Sequence, residues 1–147
     1  MITGTADVHA IVQARLLEVG QRYTPKRRAL IEHLAAAATP PALPDIMATD
    51  PKLPQSSVYR NLAVLEHAGV VRRVITEGEF ARFELAEDLT AHHHHLICSS
   101  CGRVEDVTVP ASFESTMDRT LDRVARETGF ATVSHRLDLI GICRACA

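Results

Sequence analysis

A chain of 147 residues with 46% hydrophobic residues can bury the core of one ordinary domain or two small ones, which argues against a disordered chain. With no Trp and only 4% aromatic residues, it lacks the stacking platform on which single-stranded nucleic acid is read. A net charge of −2 is not the basic footprint of a constitutive nucleic-acid binder, although Arg22, Lys26, Arg27, Arg28 and Arg60 lie early and many acids lie beyond Glu84.

Met1 to Gly20 carries Asp7, His9, Arg15 and Glu18 among its apolar residues, so it reads as neither a signal peptide nor a membrane span, and a cytoplasmic protein is expected. Val8, Ile11, Val12, Leu16 and Val19 recur at helical spacing, with Gly20 as the stop. Thr24-Pro25 reads as the N-cap and first residue of a second helix whose buried face carries Leu30, Ile31 and Leu34. A short helix from about Pro44 to Thr49 and a loop through Asp50 and Pro54 precede a fourth helix that starts at Ser56. Val58, Leu62 and Leu65 face inward on that helix, and Gly69 closes it.

Val70–Thr76 and Glu79–Leu85 read as strands of a hairpin turning at Glu77-Gly78. Helices followed by a hairpin predict a winged helix-turn-helix over residues 1–86, with Ser57, Tyr59 and Arg60 near the start of the fourth helix as candidate DNA contacts. Arg60 can reach guanine or phosphate, and Tyr59 can pack on a thymine methyl. Residues 87–91 read as a hinge. Residues 92–147 then form a small α/β unit: a strand from His92 to Ile97, a C-x-x-C turn, and a strand from Val104 to Val109. A helix capped by Ser112 follows, with a Phe113, Met117, Leu121 and Val124 stripe, and then a strand over Thr132–Ile142. The fold class is therefore α+β.

Cys98-x-x-Cys101 and Cys143-x-x-Cys146 carry the strongest chemical signal. Two such pairs can converge on one ion as a closed, four-thiolate structural zinc site; a pair of redox C-x-x-C motifs is the alternative. In the run His92-His93-His94-His95, strand alternation sends His93 and His95 to one face and His92 and His94 to the other, so two metal sites could share one strand. Glu84 and Asp106 are candidates to join the first pair. Two imidazoles and two carboxylates suit ferrous iron, manganese or zinc. Glu114 and His135 are candidates to join the second pair. His9, His33 and His67 are single histidines, read as structural or solvated.

Taken in order, Val58-Tyr59-Arg60, Phe83-Glu84-Leu85, the histidine run into Leu96-Ile97-Cys98-x-x-Cys101-Gly102, and Gly141-x-Cys143-x-x-Cys146 resemble the ferric uptake regulator (Fur) family. The resemblance, from about Arg22 to the end, implies a homodimeric metal-dependent repressor that binds a palindromic double-stranded operator and dimerises through its C-terminal domain. It implies structural zinc at Cys98, Cys101, Cys143 and Cys146, and a regulatory divalent metal (iron, zinc or manganese) at a hinge site of Glu84, His93, His95 and Asp106. A second site of His92, His94, Glu114 and His135 is implied as well, together with DNA contacts from Tyr59, Arg60 and, in the minor groove, Arg22.

Three departures stand out. The loop after the second helix, where many family members supply a hinge-site histidine, reads Thr39-Pro40-Pro41-Ala42 here. The segment after the wing has no cysteine of the kind that zinc sensors carry, and Glu114 aligns only with an insertion of about one helical turn. A peroxide-sensing repressor of the same family is the alternative function. A zinc hydrolase, from another class, would need an open metal position and a substrate pocket for which the sequence gives no sign.

Overall fold

The computed structural model describes residues 5–49, 51–52, 54–132 and 134–147. Three helices, α1 (Thr5–Glu18), α2 (Pro25–Ala36) and α3 (Leu43–Ala48), precede α4 (Gln55–His67) and a hairpin of β1 (Val71–Val74) and β2 (Arg82–Leu85). Thr24 caps α2 as its sequence predicts, accepting the Arg27 backbone N–H at 3.4 Å, with Pro25 in the first turn. Gly20 and Gly69 end α1 and α4 in the left-handed region. The apolar stripes meet in one core, in which Leu16, Ile31, Leu62, Leu65 and Phe83 are essentially inaccessible to solvent. Each such side chain contributes about 1.5–3 kcal/mol of burial.

The hairpin differs from its predicted form. Pairing runs from Val71↔Leu85 to Val74↔Arg82, so residues 75–81 form a longer connection and not a two-residue turn at Glu77-Gly78. That connection bends onto the C-x-x-C turn: Gly102, at φ +70°, lies so close that an added Cβ would stand 2.9 Å from the Gly78 Cα.

Beyond a 3₁₀ turn at Glu87–Leu89, the second sheet comprises β3 (His94–Cys98), β4 (Val104–Val107) and β5 (Asp138–Gly141), with the long helix α5 (Ala111–Thr128) between β4 and β5. The strand order is β4-β3-β5, antiparallel between β3 and β4 and parallel between β3 and β5. All three strands are shorter than predicted. β5 pairs with β3 only from His95↔Asp138 to Cys98↔Gly141, so the described residues between Thr132 and Leu137 have no partner strand; Val133, assigned to the same strand from its sequence, lies outside the described residues. Ser112 does not cap α5. Pro110 stands at the cap, fixed by its ring, and Ser112 falls inside the helix. The predicted α5 stripe exists, but Phe113 (49% exposed), Leu121 (38%) and Val124 (49%) are not covered by this chain.

Candidate metal centres and DNA-reading helix

Three groups of four side chains come together, each with one ligand atom per residue within 4.8 Å of the others: Cys98, Cys101, Cys143 and Cys146; Glu84, His93, His95 and Asp106; His92, His94, Glu114 and His135. These are the three sets that the sequence nominates.

The four cysteines are free thiols, with Cys101 and Cys143 Sγ atoms 3.8 Å apart. The β3–β4 turn brings Cys98 and Cys101 together, and the parallel pairing of Cys98 with Gly141 delivers the C-terminal pair to the same end of the sheet. Backbone N–H groups of Cys101 and Cys143 hold the Cys98 thiol down to about 6, so it offers a thiolate near neutral pH. Four thiolates at this separation fit zinc.

The hinge cluster is built across the two sheets. β2 has Phe83, Glu84 and Leu85 all buried; Phe83 and Leu85 enter the helical core, and Glu84 faces the histidines. Glu84 Oε2 lies 3.1 Å from His93 Nε2 and 3.0 Å from His95 Nε2, with Asp106 carboxylate oxygens 4.0 and 3.9 Å from the same two nitrogens. The other ring nitrogens are already committed. His93 Nδ1 meets the Ala91 carbonyl at 2.8 Å, and His95 Nδ1 meets Asp138 Oδ1 at 3.2 Å. Both Nε2 atoms are thus turned toward the carboxylates, as ligating imidazoles require. Burial alone would raise the Glu84 carboxyl, but hydrogen bonds from His95 and His93 and the charge of Arg72 hold it down to about 2. Burial lowers the His95 imidazole, and Glu84 and Asp138 more than reverse that, leaving it raised. Burial lifts Asp106 above the ordinary carboxylate range. The cluster is held by contacts between imidazole nitrogens and carboxylate oxygens, the same atoms that a divalent cation would bind.

In the second cluster His94 Nε2 lies 2.5 Å and His92 Nε2 3.2 Å from Glu114 Oε1, while His135 Nδ1 is held by Asp118 at 3.1 Å. His135 Nε2 is buried, makes no hydrogen bond and stands 3.4 Å from Glu114 Oε2. An orphaned imidazole nitrogen aimed at a carboxylate fits a metal ligand. His135 gets there from the loop before β5, not from a strand.

On α4, Tyr59 and Arg60 are exposed and Ser57 is partly so, while Val58 is buried. Arg22, also exposed, lies in the α1–α2 loop, where its carbonyl accepts from Arg27. Arg27 also donates to Asn61 Oδ1 at 3.1 Å, fixing α4 relative to that loop. Of the single histidines, His9 meets the Tyr23 hydroxyl at 2.6 Å and His67 is exposed, while His33 Nε2 is buried without a hydrogen-bond partner.

The sequence did not reveal Arg72, Glu87, Asp118 or Asp138. Arg72 grips Glu84 and lies 3.8 Å from Glu87, which in turn holds His92 Nδ1. For Asp118 a signal existed, since it lies one helical turn beyond Glu114 on the same face. Asp138 had none, because its approach to His95 depends on the parallel register of β3 and β5.

Among the described residues no helix is long and apolar enough to cross a membrane. The chain is 34% identical over 136 residues to the peroxide operon regulator of Bacillus subtilis, covering 90% of this chain and 88% of that one. Its fold is similar to that of the ferric uptake regulator Fur of Helicobacter pylori, whose structure is described as revealing three functional metal-binding sites (TM-score 0.75, 21% identity, 98% and 94% of the two chains). It is also similar to the Pseudomonas aeruginosa ferric uptake regulator solved with manganese (TM-score 0.68, 26% identity, 89% and 96%). Since the sequence pattern of the ferric uptake regulator family also matches residues 18–140, this chain belongs to that family of metal-responsive transcription regulators.

Proposed function

We propose that this protein is a metal-dependent, sequence-specific DNA-binding repressor whose hinge cluster carries the signal. It acts in the cytoplasm as a homodimer on a palindromic operator. The observation that supports this reading is the position of Glu84: a residue of the wing whose carboxylate touches both His93, just before β3, and His95, on β3. A divalent ion held by Glu84, His93, His95 and Asp106 would tie the wing to the metal-bearing sheet, and structural zinc would fix the four cysteines. Such an ion supplies a cationic centre to which all four side chains can bind at once. It favours DNA binding to the extent that it binds the DNA-competent orientation more tightly than others.

The exposed apolar faces of α5 and β5, with Phe113, Leu121, Val124, Leu139 and Ile140, suit cover by a second copy of the chain. The recognition helices of the two copies, carrying Ser57, Tyr59 and Arg60, would then meet successive half-sites, with Arg22 at the minor groove.

A second reading has its own support: a relative at 34% identity is a peroxide regulator. In that case iron would be held by Glu84, His93, His95 and Asp106, and hydrogen peroxide would give one oxygen to the ring of His93 or His95 while the other leaves as water, a gain of one oxygen read as a mass increase on the peptide that carries them.

Glu84 is not the only bridge between the sheets. Arg82 Nε donates to the Gly102 carbonyl at 2.9 Å, and Val74 packs with Ile97 and Val104. Glu84→Ala should therefore leave the wing docked, retain metal at His93 and His95 with reduced affinity, and lose most metal-stimulated operator binding. Separate titrations of metal and DNA test this, and full metal-stimulated DNA binding by the variant would refute the hinge mechanism.

A further inference from the structure

The hinge cluster takes its side chains from β2, the start of β3 and β4, and among the described residues none joins it from the side of the α2–α3 loop. There a cavity of about 280 Å³ is lined by Thr39, Pro40 and Pro41 and ends on Glu84, His93 and Asp106. The loop cannot drift far from this position. Pro41 accepts the Phe83 backbone N–H at 3.0 Å, Pro40 accepts from Arg82 Nη1 at 3.0 Å, and Ala42 bridges antiparallel to Arg82. Continuing that antiparallel count by two residues sets Pro40 opposite Glu84, so at that position of the loop the side chain has no donor atom.

A cation among two imidazoles and two carboxylates would meet protein ligands on one side and this cavity on the other. Glu84 cannot close the gap by chelating with both oxygens while Arg72 holds Oε1. Divalent iron, manganese and cobalt accept more than four ligands, and a metal site with four protein donors and adjoining space takes a further one from solution. The four-cysteine site is the internal contrast, since all four of its positions are thiolates.

We propose that the hinge metal of this protein has an open coordination position facing the Pro40–Pro41 cavity, where a small exogenous donor binds. The ligand class is a neutral or anionic molecule of a few heavy atoms with a lone pair to give, for which azide and imidazole are suitable probes. The inference rests on the hinge cluster holding a divalent metal.

The test uses the full-length protein with zinc retained at the cysteines and cobalt(II) loaded at the hinge, titrated with azide and separately with imidazole. A saturable shift of the visible cobalt bands is expected. It should persist in Glu114→Ala, which removes the second cluster, and be absent from His95→Ala. In Pro40→His the new imidazole should occupy the position, so that cobalt binds more tightly and azide no longer shifts the bands. Should that variant fail to fold, Thr39→Leu, at the cavity lining, should weaken azide binding while leaving cobalt affinity unchanged. A cobalt spectrum that depends on His95 but responds to neither probe overturns the open position and leaves the hinge reading standing. An azide shift that survives in Pro40→His overturns its placement. Cobalt bands indifferent to both His95 and Glu84 overturn the hinge reading and this inference with it.

Discussion

In the first half of the chain, α1 to α4 and the hairpin bury Val12, Leu16, Leu30, Ile31, Leu62, Leu65, Phe83 and their neighbours in one core. In the second half, among the described residues, the buried apolar cluster is Ile97 and Val104 with Val74, and Val74 is borrowed from the wing. There β5 is exposed along its length, and α5 buries only Ala125. The winged helix is stabilised by its own packing. The second unit has four cysteine thiols, two imidazole–carboxylate clusters and an apolar face in place of a core. On the proposed function its order would come from bound ions and a partner copy, and a fold whose stability varies with the ligand can report the ligand.

The comparison is broken most directly at the cysteines. Cys143→Ser removes one of the four proposed zinc ligands, and structural zinc in small domains contributes on the order of 10 kcal/mol of apparent binding free energy. The second unit should lose its tertiary structure and its dimer, while the winged helix keeps its helical signal. Zinc analysis with size-exclusion chromatography and circular dichroism checks this, and a normal dimer with unchanged zinc would remove the four-cysteine assignment.

Two leucines sharpen the same contrast. Leu62 is 1% exposed within the core, so Leu62→Ala should cost about 2–5 kcal/mol in folding stability. Leu121 is 38% exposed on α5, so Leu121→Ala should leave the dilute monomer nearly as stable as before and weaken dimerisation instead. Denaturant unfolding read beside the dimer dissociation constant separates the two. An equal loss of monomer stability at both positions would mean that α5 is already packed.

The contrast also explains what was legible. Helices in the first half follow from apolar periodicity because a single chain satisfies it: the Val58, Leu62, Leu65 stripe and the Thr24-Pro25 cap are where the sequence puts them. Strand alternation was enough to sort His93 and His95 from His92 and His94, while Glu84, Asp106, Glu114 and His135 were nominated by the family resemblance and lie beside the pairs it assigns them to. Long-range register was not legible. A two-residue turn at Glu77-Gly78 would pair Arg72 with Phe83, whereas the observed register pairs Arg72 with Glu84; a slip of one residue hides the guanidinium that grips the hinge carboxylate. The α5 stripe was legible as apolar, but amphipathic spacing does not say which chain supplies the cover.

The hinge makes the comparison depend on pH. The Glu84 carboxyl, near 4.5 when unfolded, is held at about 2 in the folded protein. A lowered carboxylate contributes stability that is fully present above the unfolded value and lost as pH falls through the folded one. Metal-free protein should therefore lose stability between about pH 4.5 and 2 more steeply than Glu84→Gln, which has no such proton to take up. Parallel urea melts across that range measure the difference. Identical slopes would show that the Glu84 contacts with His93, His95 and Arg72 contribute nothing to folding.

The mildest change tests whether the winged helix works as a separable reader. Arg60 is exposed on α4, outside the core and outside all three metal clusters, so truncating it should leave folding and metal content alone. If its guanidinium makes a bidentate contact to a base edge, Arg60→Ala should cost about 1–3 kcal/mol in operator binding, with non-specific binding reduced less. A phosphate contact would instead weaken all sequences alike and lower the salt dependence by about one ion. Binding to operator and to scrambled duplex over a series of salt concentrations distinguishes the two. If neither affinity changes while Tyr59→Ala or Arg22→Ala does lower operator binding, the reading surface is shifted away from Arg60 along α4 or toward the α1–α2 loop.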